Sequence, residues 1–178
     1  MKLLVLADDD HVRHELTAQP ADLVLSLGDV ADLVILEAAK QAQCGRIFAV
    51  KGNHDSGGTF PAPILDLHLH VQTVDGVRFG GFNGSWRYKP RGHYLYEQDE
   101  AEQLLAGFPP VDVFIAHNSP RNMHERDTEV HVGFEAFNRY IERTQPRLFV
   151  HDHRNANQDT LVGRRQIMAV YGQRRIQI

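Results

Sequence analysis

The sequence predicts an α/β fold: a largely parallel sheet with a second, more antiparallel sheet packed on it. Three observations predict it. Short apolar segments alternate with longer stretches of good helix formers. The middle and the end of the chain carry hairpin punctuation. The 178 residues are 42% hydrophobic and 24% charged, an ordinary globular mix for a single domain spanning 1–178.

The first observation is made element by element. Lys2–Ala7 is short, apolar and partly β-branched, as a buried strand is. Residues 22–27, 46–50, 111–116 and 147–150 read the same way. Between them, residues 30–42 contain no glycine or proline and are rich in helix formers. Gln98–Ala106 is acidic early and apolar late, as a helix start prefers. Residues 133–143 place Phe134, Phe137 and Ile141 on one helical face. Strand–helix alternation of this kind argues for a parallel sheet.

The second observation covers the rest. Residues 65–71 and Val77–Phe82 read as strands joined at an Asp75-Gly76 hairpin turn. Residues 161–162, 166–171 and 174–178 read as a closing meander turning at Gly163 and Gly172. Residues 83–96 and 118–132 show no regular pattern, and loops of that length in a compact domain tend to be functional.

Charge and composition exclude several classes. A net charge of −4 and a pI near 6.2 give no bulk basic surface for nucleic acid. The longest unbroken apolar runs, residues 3–7 among them, are five residues, against roughly 20 residues for a membrane span. The single cysteine, Cys44, cannot form an internal disulfide. A soluble, cytoplasmic protein without membrane contact is the expectation, its oligomeric state left open. The 11 histidines are in excess and invite a metal or phosphate reading.

Each of the five strands of the parallel pattern runs into a polar cluster. These are Asp8-Asp9-Asp10-His11, Gly28-Asp29, Gly52-Asn53-His54-Asp55, His117-Asn118 and His151-Asp152-His153. In an open α/β sheet, ligands bind outside the carboxyl ends of the strands, so five clusters there converge on one place. Carboxylates, imidazoles and an amide oxygen suit borderline divalent ions such as Mn, Fe or Zn. There are more such groups than one ion needs, and two ions a few ångströms apart clamp an in-line attack on phosphorus. His54, beside Asp55, is placed to protonate a leaving oxygen, its ring oriented by a carboxylate.

These residues resemble the calcineurin-like metallophosphoesterases, whose signature runs Asp-x-His, Gly-Asp, Gly-Asn-His-Asp, His and Gly-His-x-His. The chain shows Gly28-Asp29, a complete Gly52-Asn53-His54-Asp55, and His117 ahead of Ser119-Pro120, in order from Asp8 to Asn155. The resemblance implies a four-layer α/β/β/α sandwich of two mixed sheets flanked by helices. It implies that Asp29 bridges two divalent ions, that Asn53, His117 and His153 complete the second site, and that His54 and Asp55 are catalytic. Counted from Met1, the end motifs fall on Asp8-x-Asp10 and Asp152-His153-x-Asn155, so the first site takes Asp8, Asp10, Asp29 and Asn155. A one-residue slip would restore the histidines as Asp9-x-His11 and His151-x-His153, at the cost of Val150 in place of the glycine.

The expected activity is hydrolysis of a phosphate ester, a diester ahead of a monoester, by a metal-bound water or hydroxide at a dinuclear site. Oxygen-rich ligands make Mn the first expectation, with Fe, Zn, Ni or Mg as alternatives. The rival is a scaffold: the retromer small subunit uses the same fold to bind proteins. Arg87, Arg91, Arg121 and Arg126 are candidates to contact phosphate, and Trp86 and Tyr88 to stack on a substrate base or pack in a lid.

Overall fold

A computed structural model describes residues 1–8, 12, 14, 16–153 and 156–178. In chain order its elements are β1 (Lys2–Ala7), β2 (Leu23–Ser26), α1 (Asp32–Gln41), β3 (Ile47–Ala49), β4 (Ile64–Asp66), β5 (Val71–Val74) and β6 (Val77–Phe82). There follow β7 (Ser85–Trp86), β8 (Leu95–Tyr96), α2 (Gln98–Ala106), β9 (Val113–Ala116), a 3₁₀ turn (Glu129–His131), α3 (Glu135–Thr144) and β10 (Leu148–His151). The chain closes with β11 (Gln158–Val162), β12 (Arg165–Ala169) and β13 (Gly172–Gln177).

Two mixed sheets stack. The first has the order β13-β1-β2-β3-β4 and is parallel except where β13 runs against β1. The second, β11-β12-β10-β9-β6-β5, is parallel through its centre, and both edge strands are antiparallel. Strand periodicity explains the layers. Leu3, Val5 and Ala7 of β1 face the other sheet, while Leu4 and Leu6 face Val34, Ile35 and Ala38 of α1. On the second sheet Val113, Ile115 and Val150 point inward, and Phe114 and Phe149 point out onto Ala101 and Leu105 of α2 and Phe137 and Tyr140 of α3. Strands buried on both faces read as continuous apolar runs, which is how the sequence shows them. The expected four-layer α/β/β/α sandwich is therefore what the chain forms. No helix among the described residues is long and apolar enough to cross a membrane.

Two sequence expectations are corrected. Residues 65–71 are not one strand. The amide of Leu67 donates to Ala49 O in the first sheet, and that of Leu69 to Gly81 O in the second. The chain thus changes sheets over two residues, with Leu69 at φ 55°, and the hairpin across Asp75-Gly76 joins only β5 and β6. Asp75 and Gly76 have φ 50° and 80°, as a two-residue turn with both central residues left-handed requires. The closing strands are also not a meander in one sheet: β12 lies beside β10 and β13 crosses to β1.

Candidate active site

Because β1, β2 and β3 are mutually parallel, as are β9 and β10, their carboxyl ends carry Asp8, Asp29, Asn53, His117 and His153 to one edge of the sandwich. The loops that leave these ends are tied to one another rather than to their own strands. The Asp55 carboxylate (Oδ2) accepts the amides of Gly52 at 2.7 Å and Asp29 at 3.0 Å, and Asp29 Oδ1 accepts the amide of His54 at 2.8 Å. Gly52 is required here: a Cβ would strike Asp29 Oδ1 and Cγ. Asp8, Asp29 and His153 all have positive φ, at 52°, 52° and 67°. Non-glycine residues in that region cost free energy, and such strain is concentrated at functional sites.

His117 is fully buried and joins the two sheets. Its Nδ1 lies 3.0 Å from Leu27 O, which can only accept, so Nδ1 carries the proton. Nε2 then faces two oxygens, Asn53 Oδ1 at 3.1 Å and Asp29 Oδ2 at 3.3 Å. Asp29 Oδ2 is buried without an aligned hydrogen-bond donor among the described residues. The His153 ring stands 4.8 Å from that of His117, centroid to centroid, with its Nε2 donating to Val130 O at 3.2 Å.

The electrostatics follow from this crowding. Burial raises the Asp8 carboxyl to about 6, Asp29 adding to the rise against the opposing charge of His117. Burial alone would raise Asp29 too, but His117 and the His54 amide hold it below the usual carboxylate range. Burial works against the His117 imidazolium, and the Asp29 carboxylate overcomes it, so its pKa is raised. Burial and the charge of His117 push His153 down to about 3.

Among the described residues, no group of three or more His, Cys, Asp or Glu side chains closes around a point as a formed metal cage would. The donor set nonetheless fits an ion. A carboxylate oxygen, an amide oxygen and an imidazole nitrogen converge, and in the metal-free site a proton on His117 Nε2 stands where a cation would. Each histidine donates its other nitrogen to a backbone carbonyl, the arrangement that fixes the tautomer of a metal-binding imidazole. Asp29, Asn53, His117 and His153 would hold the ion, with Asp8 alongside. Asp10 and Asn155, expected in the first site, lie outside the described residues, as do Asp9 and His11 of the slipped register. His151 is turned elsewhere: its Nε2 is 3.0 Å from His124 Nδ1, and His124 reaches Thr160 Oγ1. It is His153 that stands beside His117.

His54 is exposed at the rim, held through its backbone amide. The hydrogen bonds of Asp55 go to backbone amides of two loops, so its place is that of a strut. Arg87 is committed to Leu95 O, Glu97 and Glu100, and Arg121 to Glu125. Arg126 is close enough for its charge to act on Asp8 and His131.

Sequence reasoning missed two contributors, Asn83 and Lys51, and gave a third, Tyr88, a different role. Asn83, just after the end of β6, accepts the Lys51 amide at 2.8 Å and donates its own amide to His68 Nδ1 at 3.0 Å. Lys51 is buried, its ammonium 3.4 Å from Asp32 and 3.7 Å from the centre of the Phe60 ring. Tyr88 brings its hydroxyl to 3.1 Å from Asn53 Nδ2. Position was the available signal for Asn83, which follows a central parallel strand as Asp29 does. Tyr88 was expected to stack on a base or pack in a lid, and nothing in its spacing points to Asn53.

No family model and no curated protein matches the chain. Solved structures do. The fold is similar to that of TT1561 of Thermus thermophilus, with a TM-score of 0.65 and 14% identity over 94% of this chain and 88% of that one. Phosphopantetheinyl hydrolase (PptH) from Mycobacterium tuberculosis matches with a TM-score of 0.63 and 12% identity, over 98% and 95%. Zn-complexed Vps29 from Entamoeba histolytica matches with a TM-score of 0.50 and 12% identity, over 95% and 73%. At these identities the likeness establishes a common fold, the two-sheet sandwich of these proteins.

Proposed function

We propose that the chain is a metal-dependent phosphoesterase of the calcineurin-like type, acting on a phosphodiester in preference to a monoester, with Mn as its favoured ion. The observation that carries the reading is the convergence of Asn53 Oδ1, Asp29 Oδ2 and His117 Nε2, with the two histidines anchored to Leu27 O and Val130 O. The fold shared with a phosphopantetheinyl hydrolase is consistent with it. A divalent ion bound there would supply Lewis acidity toward a phosphoryl oxygen and lower the pKa of water. The chain's own residues do the rest. Asp29, held below the usual carboxylate range, presents a negative charge at neutral pH. His54 stands exposed beside it, fit to protonate a leaving oxygen, and Arg126 supplies positive charge near Asp8.

The fold is shared with Vps29 as well, which favours a second reading, a binding scaffold. Turnover of a generic aryl phosphodiester and of the corresponding monoester, by metal-free protein with and without added Mn, separates the two. Mn-dependent hydrolysis abolished by chelator is expected. Metal binding without turnover would point to the scaffold, and equal hydrolysis by rigorously metal-free protein would overturn the mechanism.

A further inference from the structure

The loop 83–96 does more than border the site, because one of its side chains reaches an expected metal ligand. It is anchored by the Gly84 amide on Lys51 O at 2.6 Å and by the parallel pairing of β7 with β8. The Tyr94 hydroxyl adds a bond to Gly58 O at 3.4 Å. From this frame Tyr88 projects to Asn53, and Asn53 Nδ2 donates to the Tyr88 hydroxyl oxygen at 3.1 Å. The ammonium of Lys89 lies 5.0 Å from the centre of the Tyr88 ring.

An asparagine side chain has one acceptor end and one donor end, and only the oxygen can ligate a cation. Rotation of the amide plane by a half turn would present an NH₂ group to the ion. In this structure the oxygen faces His117 Nε2 and the nitrogen faces Tyr88. A phenol hydroxyl can accept that N–H or donate to an oxygen in its place, so a cation selects the oxygen on its own side and Tyr88 holds the amide plane in that orientation. Resting on the phosphoesterase reading above, we propose that Tyr88 is a positioning residue that fixes the amide of Asn53 with its oxygen toward the metal, and so links loop 83–96 to metal affinity.

Calorimetric titration of the metal-free full chain with Mn²⁺ alone tests this without reference to turnover. Groups that orient a ligand typically contribute about 10–100-fold to metal affinity. Tyr88→Phe, which keeps the ring and its contact with Lys89, is expected to weaken Mn²⁺ binding by that order while leaving the melting temperature of the metal-free protein unchanged. In an Asn53→Ala background, Tyr88→Phe should have no further effect on Mn²⁺ affinity, because the group it orients is gone. Unchanged affinity in the single variant, or an equal loss in both backgrounds, overturns the positioning role and leaves the phosphoesterase reading standing. If Asn53→Ala binds too weakly to titrate, the single-variant comparison alone decides. Absence of Mn²⁺ binding by the wild-type chain would overturn both, and is told apart by that first titration.

Discussion

At the scale of single residues, His54 and His117 divide the work that a sequence pattern assigns to histidines in general. His117 is fully buried and both its nitrogens are engaged across the seam between the sheets, so its loss would remove a ligand and a structural link together. His54 is exposed and held by its backbone amide, which donates to Asp29 whatever the side chain is. His54→Ala is therefore expected to lower turnover by about 10²–10⁴-fold, the usual contribution of a positioned acid, with metal content and melting temperature unchanged. Elemental analysis beside a steady-state assay checks it; loss of an ion or a wild-type rate would remove His54 from its role. His54 was legible because Gly52-Asn53-His54-Asp55 follows a strand end, and His117 because it closes the apolar run of β9. The contact of Tyr88 with Asn53 and the place of Asn83 were not, because both meet the site by packing from other loops. His68 reads as one of a polar alternation with His70, yet its Nδ1 takes the Asn83 amide, which places Lys51 in turn. Burial lowers the pKa of His68, so it stays the neutral acceptor that this chain of bonds requires.

At the scale of elements, the two sheets are joined at the C-terminus by one ion pair. Arg174 on β13 of the first sheet makes two hydrogen bonds, at 2.5 and 2.7 Å, to Asp159 on β11 of the second. The bonds from Arg174 hold the Asp159 carboxyl below its usual range. A depressed folded value means that the contribution is complete above the unfolded carboxylate pKa of roughly 4 and is lost as pH falls through the folded value. Both side chains are partly exposed, so its size is about 0.2–1 kcal/mol after solvent screening. Asp159→Asn should lower the urea midpoint at pH 7, and the gap from wild type should close in acid. A gap that persists unchanged at low pH would mean that the pair's charge contributes nothing. The strands themselves were legible from apolar runs, but their sheet membership was not. Residues 65–71 keep a two-residue alternation in sequence straight through the change of sheet at Leu67 and Leu69, yet Leu65 and Val71 are exposed while Leu67 is buried, so the alternation reports neither the partner strand nor a single buried face. β12 and β13, consecutive strands joined by a short turn, likewise end in different sheets.

At the scale of the molecule, the site exists only while the sheets are stacked. Asp29 and Asn53 come from loops of the first sheet, His117 and His153 from the second, and the Leu3, Leu25, Ile115 and Val150 core lies between the two. An ion bound by all four can bind the folded chain and not the unfolded one, so it must stabilise the fold by mass action. In the metal-free site burial raises the Asp8 carboxyl, with Asp29 adding to the rise against the charge of His117, and a bound cation would favour the ionised carboxylate there. At a free ion concentration about 100 times Kd the stabilisation is about 2.7 kcal/mol. For a chain of this size each kcal/mol moves the melting temperature by about 2–4 °C, which gives an expected rise of roughly 5–10 °C on adding Mn²⁺ to metal-free protein. Asp29→Asn keeps the size of the side chain and an acceptor for the His54 amide while removing the charge, so it should fold and lose most of that rise. Differential scanning calorimetry of both chains, with chelator and with Mn²⁺, reads the result directly. A full shift in the variant would place the ion away from Asp29, and no shift in the wild type would mean that the four side chains do not form a common site.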